Sequence, residues 1–335
     1  MRHIFFSFLI AATHFNISWA ATPNWETFCI KASKTEFPGA DRPSAEQAKA
    51  LAECASVDLY FGIGRPADPA LARQCAYVEM GNGDELIWGG SSILIMAYAN
   101  GRGATRNLDL AIRLACENDL APGGGQAYRI EHLARLREEN WEGNDFSICD
   151  DTTSGYWEGN CAWLDARIAD AKRETELKRL TGDWNETERK AFAILRTDFE
   201  RFVESRASHE VDASGTARAM LAHQEETSLR DGFLSLVEVA EHNTVPVFSA
   251  AQLAEADREL NRTYRQIQSD SEFSYGTVTR DGIKKTQRLW LKYRDAWVAF
   301  GRHKYPAVSP DLWKVWLNRE RTKMLSDYLA FSLQG

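Results

Sequence analysis

The residue types that most often carry out catalysis are scattered singly along this sequence. Of its seven histidines, His209 is followed by Glu210 but does not begin the His-Glu-x-x-His pattern that holds zinc on a helix. Ser92 and Ser214 lie near glycines but outside a Gly-x-Ser-x-Gly elbow. The glycine run at 123–125 lacks the Lys-Ser/Thr pair of a phosphate loop. We therefore expect no catalytic residues, no cofactor and no metal ion, and interpret the protein as a non-enzyme.

The six cysteines are chemically distinctive because all lie in the first half of the 335-residue chain: Cys29, Cys54, Cys75, Cys116, Cys149 and Cys161. No Cys-x-x-Cys pair or zinc-type Cys/His spacing occurs among them. An even number of cysteines in an exported protein favours disulfides over metal ligands, so we expect three bridges. Cys149 and Cys161 close a short loop and are the favoured pair, whereas the other four allow three connectivities.

The first twenty residues predict export. A short basic start is followed by the apolar run 4–12 and by Ser18-Trp19-Ala20, with small residues at the two positions that a signal peptidase recognises. The apolar run is too short to span about 30 Å of hydrocarbon, and no later segment reaches about 18 continuous apolar residues. We predict a signal peptide at residues 1–20, a periplasmic or secreted location and no integral membrane span.

The rest of the sequence has the composition and periodicity of a folded helical protein. Hydrophobic residues make up 44% of the chain, enough to form cores, and the net charge of −8 argues against a nucleic-acid partner. In residues 162–181, apolar side chains recur at helical spacing, and residues 283–300 show the same stripe. Alternating runs of Val, Ile and Thr are missing. We therefore predict an all-α fold.

A turn signal occurs twice between residues 45 and 137. The two copies are Tyr60-x-Gly62-x-Gly64 with Asp68 and Ala72, and Tyr98-x-x-Gly101-x-Gly103 with Asn107 and Ala111. A period near forty residues with glycines between helices predicts stacked helical hairpins, in which the small alanines allow close packing. These stretches resemble Sel-one-like repeats, and the resemblance implies a scaffold that binds proteins. A helical spacer without a ligand is the alternative.

The C-terminal region contains the most informative series of motifs. These are Leu260-Asn261-x-x-Tyr264, then Gln287-Arg288-x-Trp290-x-Lys292-Tyr293-Arg294-Asp295, and finally Arg321-Thr322 before the end of a last helix. In type and order they resemble the LprI-type lysozyme inhibitor family of exported bacterial proteins. The resemblance implies a small helical bundle that inhibits lysozyme or another cell-wall hydrolase. The family commonly has a cysteine where this sequence has Val298, so that disulfide is expected to be absent.

Residues 149–240 resemble a degenerate copy of the same bundle. Their segment 189–206 has aromatic and arginine spacing similar to that of the Gln-Arg-x-Trp helix. Two unrelated helical bundles are the alternative, because any amphipathic helix pair shares much of this pattern. The predicted organisation is a signal peptide at 1–20, a Sel-one-like repeat region at 21–140, a degenerate LprI-like bundle at 141–241 and an LprI-like bundle at 245–335.

Nine residues of the C-terminal bundle are candidates for binding a target: Asn261, Tyr264, Gln287, Trp290, Arg294, Asp295, Arg302, Lys304 and Tyr305. Gln287, Trp290 and Arg294 share one helical stripe, so contact with a target competes with a place in the bundle core. In the core interpretation, Asn261 and Gln287 cap or bridge helices and Arg294 pairs with an acid of a neighbouring helix. Arg302, Lys304 and Tyr305 are expected to be exposed, and loop 270–282 and segment 303–310 could enter a target's cleft.

The charge is unevenly divided along the chain. Residues 242–335 carry 15 basic and 10 acidic side chains, whereas residues 21–241 carry 24 basic and 38 acidic ones. A strongly basic lysozyme would be attracted to the acidic residues 21–241 and not to the basic residues 242–335. The basic part equally suits an acidic envelope polymer or a membrane surface as its partner. The predicted function is an exported inhibitor that binds a protein partner. A periplasmic scaffold that binds partners through its repeats is the alternative.

Overall fold

A computed structural model of the protein describes residues 25–83, 87–118 and 125–332. Within these ranges thirteen α-helices follow one another and no β-sheet forms, which confirms the predicted all-α fold. The predicted signal peptide at residues 1–20 lies outside the described ranges. Among the described helices, none combines the length and the apolar character needed to cross a membrane.

The first seven helices are short and the last six are long. The first set is α1 (Trp25–Ala32), α2 (Ala45–Ala50), α3 (Ser56–Phe61), α4 (Pro69–Asn82), α5 (Gly90–Asn100), α6 (Leu108–Glu117) and α7 (Gly125–Glu138). The second set is α8 (Gly155–Leu180), α9 (Glu186–His209), α10 (Arg218–Glu241), α11 (Ala250–Ser269), α12 (Arg280–Lys304) and α13 (Pro310–Ser332).

The two turn signals form equivalent turns, one between α3 and α4 and one between α5 and α6. Gly62 (φ 75°) and Gly101 (φ 63°) end the first helix of each pair in the left-handed conformation, which glycine adopts without steric cost. The side chains of Asp68 and Asn107 begin the second helix by accepting a hydrogen bond from a backbone N–H three residues later. The turn geometry predicted from the sequence is confirmed at both places.

Helices α3 to α7 pack as successive antiparallel neighbours, and α1 covers α6 and α7. Ala72 and Ala111 are completely buried at equivalent positions of α4 and α6, as predicted for close helix packing. The apolar core formed by these helices extends from Ala32 to Leu164. It therefore includes the first part of α8.

Three disulfides reinforce this first core. Cys29–Cys116 joins α1 to α6, Cys54–Cys75 joins the segment before α3 to α4, and Cys149–Cys161 joins the segment before α8 to α8. No free cysteine remains in the chain. The prediction of three bridges is confirmed, and the structure contains the favoured pair.

The second core lies among the six long helices. Helix α8 packs along α10, α9 along α12, and α11 along α13. The apolar residues they enclose run from Leu177 to Tyr328 in one cluster. The helices predicted for the two separate bundles therefore share one core, and α8 links it to the first core because its N-terminal half packs there.

The central pair of this second core, α9 and α12, is antiparallel. Lys304 Nζ lies 3.2 Å from Glu188 Oε1 at one end, and the hydroxyls of Ser205 and Thr286 are 2.9 Å apart at the other. Between these ends the interface is largely aromatic. Val298, at the place where the LprI-type family commonly has a cysteine, is 6% exposed and belongs to the same apolar core.

Candidate protein-binding groove

A charged pair is buried at the centre of the second core. Glu210 directly follows α9 and Arg321 lies on α13, and neither side chain is accessible to solvent. Arg321 donates from Nη1 to Glu210 Oε2 (2.7 Å) and from Nη2 to Glu210 Oε1 (2.5 Å), which makes the pair bidentate. Two charges are stable in such a place only when they are paired and hydrogen bonded, so the pair constrains how the helices meet.

Three further side chains complete this buried network. Gln287 of α12 accepts a hydrogen bond from Arg321 Nε (2.8 Å), and Arg206 of α9 donates from Nη1 to Glu210 Oε2 (2.7 Å). The Tyr328 hydroxyl donates to the backbone carbonyl of Glu210 (2.7 Å). Burial, together with the negative charge of Glu210, raises the pKa of Tyr328, so the hydroxyl remains a donor. The network therefore fixes α9, α12 and α13 relative to one another.

Beside this network a groove of about 440 Å³ opens between α10 and α13. Its floor consists of Phe202 of α9 with Trp290 and Tyr293 of α12. The rings of Phe202 and Tyr293 are stacked, with centroids 5.7 Å apart and planes inclined by 4°. Burial raises the pKa of Tyr293 further above neutrality, and none of these three side chains carries a charge at neutral pH. A groove between helices with an apolar floor is one of the known forms of a site that receives a protein helix.

Acidic side chains border the groove. Glu320 and Asp327 are exposed on α13, with the exposed Lys323 between them, and Glu225 faces them from α10. Glu225 is ion-paired with Arg206, so its charge is partly compensated. Two exposed carboxylates against one ammonium group make the α13 edge locally negative, although residues 242–335 as a whole are basic.

Two of the predicted motif residues belong to the interior of the molecule. Gln287 is 8% exposed and holds Arg321, and Trp290 is 1% exposed at the groove floor. Gln287 bridges helices as expected. Tyr264 is half-buried against the same core. These residues position the groove rather than stand on its edge.

Asn261 does not bridge helices, so the core interpretation is wrong for this residue. It is exposed, and its Nδ2 donates to the carbonyl of Asp257 (2.8 Å) in its own helix. The expected pairing of Arg294 with an acid of a neighbouring helix is also wrong. Arg294 instead lies 2.9 Å from the adjacent Asp295, and its guanidinium is 5.3 Å from the centre of the Trp290 ring. Asn261 binds a partner one turn earlier on its own helix, as i,i+4 neighbours do, whereas Arg294 pairs with the next residue of the chain.

The three residues expected to be exposed at the end of α12 differ from one another. Arg302 is exposed. Lys304, paired with Glu188, also lies 4.9 Å from the centre of the Trp184 ring. The Tyr305 hydroxyl donates to Glu241 Oε1 (2.6 Å), joining α12 to the end of α10. Lys304 and Tyr305 therefore hold helices together, and of the three only Arg302 fits the expectation of an exposed contact.

Loop 270–279, within the segment expected to enter a target's cleft, is attached to the turn after α9. Asp212 Oδ1 accepts hydrogen bonds from the backbone N–H of Ser214 (2.9 Å) and of Thr277 (3.0 Å). These bonds lower the pKa of Asp212 to about 2. The loop is thus fastened close to Glu210, because Asp212 follows that residue by two positions.

Sequence reasoning missed Glu210 and the contribution of α10. Glu210 follows Arg206 by four positions, and this i, i+4 spacing predicts an ion pair at the end of a helix. The same glutamate also follows His209, which does not begin a His-Glu-x-x-His zinc motif. The α10 wall of the groove had no motif, since Leu229 and Phe233 are ordinary apolar positions of an amphipathic helix.

Among the described residues, one group has the side-chain types and proximity of a metal site: Cys54, Cys75 and Glu79. The two cysteines are joined to each other, and a disulfide does not offer the thiolates that bind metal ions. This group therefore has a structural role.

One comparison with known proteins matches the part of the chain that forms half of this groove. A family model described as "Lysozyme inhibitor LprI" matches residues 240–324. The matched segment contains α11, α12 and most of α13, including Trp290, Glu320 and Lys323. It supports the LprI-type domain indicated by the C-terminal motifs. No curated protein and no solved structure gave a significant match to the chain.

Proposed function

We propose that the protein is an exported, non-enzymatic inhibitor that binds lysozyme or another cell-wall hydrolase through the groove between α10 and α13. The match of residues 240–324 to the lysozyme inhibitor family is the observation that carries this proposal. The three disulfides suit an oxidising compartment outside the cytoplasm.

The groove supplies a physical reason why a basic enzyme would bind. Its floor is formed by the apolar rings of Trp290 and Tyr293, which are almost fully buried and shape the groove, and its edge presents Glu320 and Asp327 to a partner. A basic partner is steered toward such an edge at low ionic strength, and the strongly acidic residues 21–241 add to the attraction. The negative edge of the groove can therefore attract a basic enzyme although residues 242–335 are basic overall.

The test is a direct binding measurement with lysozyme, followed by inhibition of lysozyme on a soluble substrate. The double variant Glu320→Lys/Asp327→Lys should weaken binding at least tenfold at low salt, because it reverses two charges at the groove edge. The matched control, Glu255→Lys/Asp281→Lys, reverses two exposed acids away from the groove and should bind nearly as well as the natural chain. Equal binding by both variants would contradict the assigned surface, and absence of inhibition at large molar excess would contradict the function.

A periplasmic scaffold is the second candidate, supported by the equivalent turns after α3 and α5. In this case Sel-one-like hairpins would provide the partner surface. A partner protein captured equally well by the natural chain and by the double groove variant would favour this candidate. Loss of capture in the groove variant would favour the inhibitor.

The packing of the six long helices supports a duplicated LprI-like unit. In the triplet α8–α9–α10 the first and third helices pack along each other, as they do in α11–α12–α13. The middle helices of the two triplets, α9 and α12, pack together. Such a repeated packing pattern is expected of two related units within one chain. The two triplets would therefore build one groove jointly, with one unit on each side.

A further inference from the structure

A second, larger cleft lies between the two cores and takes no part in the proposed inhibitor site. Its volume is about 940 Å³, within the range of about 300–1,000 Å³ typical of small-ligand sites. The floor is α8, one wall is the start of α3 with Ile87 and Trp88, and the other is the N-terminal part of α10. Trp88 Nε1 donates to the backbone carbonyl of Asn160 (3.2 Å), which fastens the first wall to the floor.

Two exposed aromatic rings lie along the floor of this cleft. Tyr156 is 64% exposed and Trp163 is 38% exposed. They are seven residues apart on one helix, which places them on the same face with a separation of about 10 Å along the axis. Two large aromatic side chains left open to water on one face of a cleft form a surface on which a ligand can stack.

The second ring is held in place by a charged pair. The guanidinium of Arg167 lies 4.8 Å from the centre of the Trp163 ring. Arg167 Nη2 is in turn 2.8 Å from Asp58 Oδ1 of α3, so the arginine joins the floor of the cleft to the α3 wall. The Trp163 ring is therefore held in place before a ligand arrives, so it loses little conformational entropy when the ligand binds.

The cleft is locally basic although residues 21–241 are strongly acidic. Asp58 and Arg167 compensate each other, which leaves Arg218 on the α10 wall. Within the described part of the chain, Arg218 donates one hydrogen bond, to the carbonyl of Gly215 (3.0 Å), and forms no ion pair. An arginine in this position can bind a carboxylate of a ligand.

We propose that this cleft binds an anionic glycan strand: linked pyranose rings, at least one of which bears a carboxylate. The apolar faces of pyranose rings stack on Tyr156 and Trp163, whose separation is close to the length of one disaccharide unit. Arg218 receives the carboxylate. The cleft offers far less surface than the area of about 1,200–2,000 Å² that a stable protein interface buries, which favours a glycan over a protein.

The test is calorimetric titration of the full mature chain with two soluble probes. One is a peptidoglycan glycan fragment that carries the lactyl carboxylate, and the other is an uncharged chitin oligosaccharide of equal length. The carboxylate-bearing fragment should bind more tightly. Tyr156→Ala and Trp163→Ala should each weaken both probes about two- to tenfold, the loss of one ring contact. Tyr128→Ala removes a ring of similar exposure from α7 and should leave both affinities unchanged.

Arg218→Gln separates charge from stacking. It should weaken the carboxylate-bearing fragment and leave the chitin oligosaccharide unaffected, because only the former has a group for the guanidinium. The proposal is overturned if neither probe binds, if Tyr128→Ala weakens binding as much as Trp163→Ala, or if a stem peptide without sugar binds equally well. Melting curves verify folding; if Trp163→Ala does not fold, Tyr156→Ala and Arg218→Gln decide the outcome.

Discussion

The substitution Glu210→Gln tests how the second core is held together. In the natural chain the Glu210 carboxylate accepts two hydrogen bonds from Arg321 and one from Arg206. Glutamine keeps the shape of the side chain but removes its charge and turns one acceptor into a donor. Arg206 retains its ion pair with Glu225, whereas Arg321 loses its carboxylate partner and keeps Gln287 and at most one amide oxygen at position 210.

The expected cost follows from the burial of Arg321. Its side chain is 0% exposed, so water cannot replace the lost carboxylate. Removing one partner of a buried ion pair costs about 3–5 kcal/mol, a large part of the roughly 5–15 kcal/mol that keeps a protein folded. Replacement of both partners by apolar residues would be much less harmful, since no unpaired charge would remain.

Urea unfolding followed by circular dichroism measures this cost. The matched control is Glu255→Gln, which removes the carboxylate of an exposed pair with Arg258 on α11. We expect the control to change the free energy of unfolding by at most about 1 kcal/mol. A loss below about 1 kcal/mol for Glu210→Gln, or an equal loss in the two variants, would refute the interpretation of the buried network.

Further predictions concern other parts of the chain. Reduction of the disulfides should destabilise the first core, by about 2–4 kcal/mol per bridge, while the second core melts unchanged. The pKa of Asp212 is lowered to about 2 from 3.8, so its contribution to stability should be complete above pH 3.8 and lost as the pH falls toward 2. Loss of protection of the Thr277 amide against hydrogen exchange over that interval would report this change. Gly90→Ala should lower the melting temperature, because the new Cβ would lie 2.3 Å from the carbonyl oxygen of Ala76. Mass spectrometry of the exported protein should place its N-terminus after Ala20.

The local chemistry of the first half was predictable from the sequence because single residues determine it. Gly62 and Gly101 require a left-handed turn, and Asp68 and Asn107 provide helix caps, whatever else the chain does. The cysteine pairing was only partly predictable. Cys149 and Cys161 are near in sequence, whereas Cys29 and Cys116 meet only after α1 has folded over α6.

The groove could not be predicted because its two sides are far apart in the chain. The motif of α12 identified Trp290 and Gln287 as important residues, but their role depends on Arg321 and on Glu210, which lies outside the motif. An exposed position was expected for Lys304 and Tyr305. Both found partners on α9 and α10, helices that sequence reasoning had assigned to a different bundle.

An assay of cell lysis has to distinguish the effect of the groove between α10 and α13 from the effect of the glycan cleft. A protein that covered glycan strands through Tyr156 and Trp163 would slow lysis without touching the hydrolase. The variant Trp163→Ala should lose this effect on intact cell walls but retain inhibition on a soluble substrate that the cleft does not bind. The Glu320→Lys/Asp327→Lys variant should lose inhibition on the soluble substrate but still slow lysis of intact cell walls.

The central claim is that the protein binds a lysozyme-type hydrolase at the groove between α10 and α13. Calorimetric titration of lysozyme with the mature chain, at low and at physiological salt, tests it most directly. We expect a saturable complex that weakens as salt increases and is weakened at least tenfold by Glu320→Lys/Asp327→Lys. Absence of binding at either salt concentration, or equal binding by the natural chain and this variant, would contradict it.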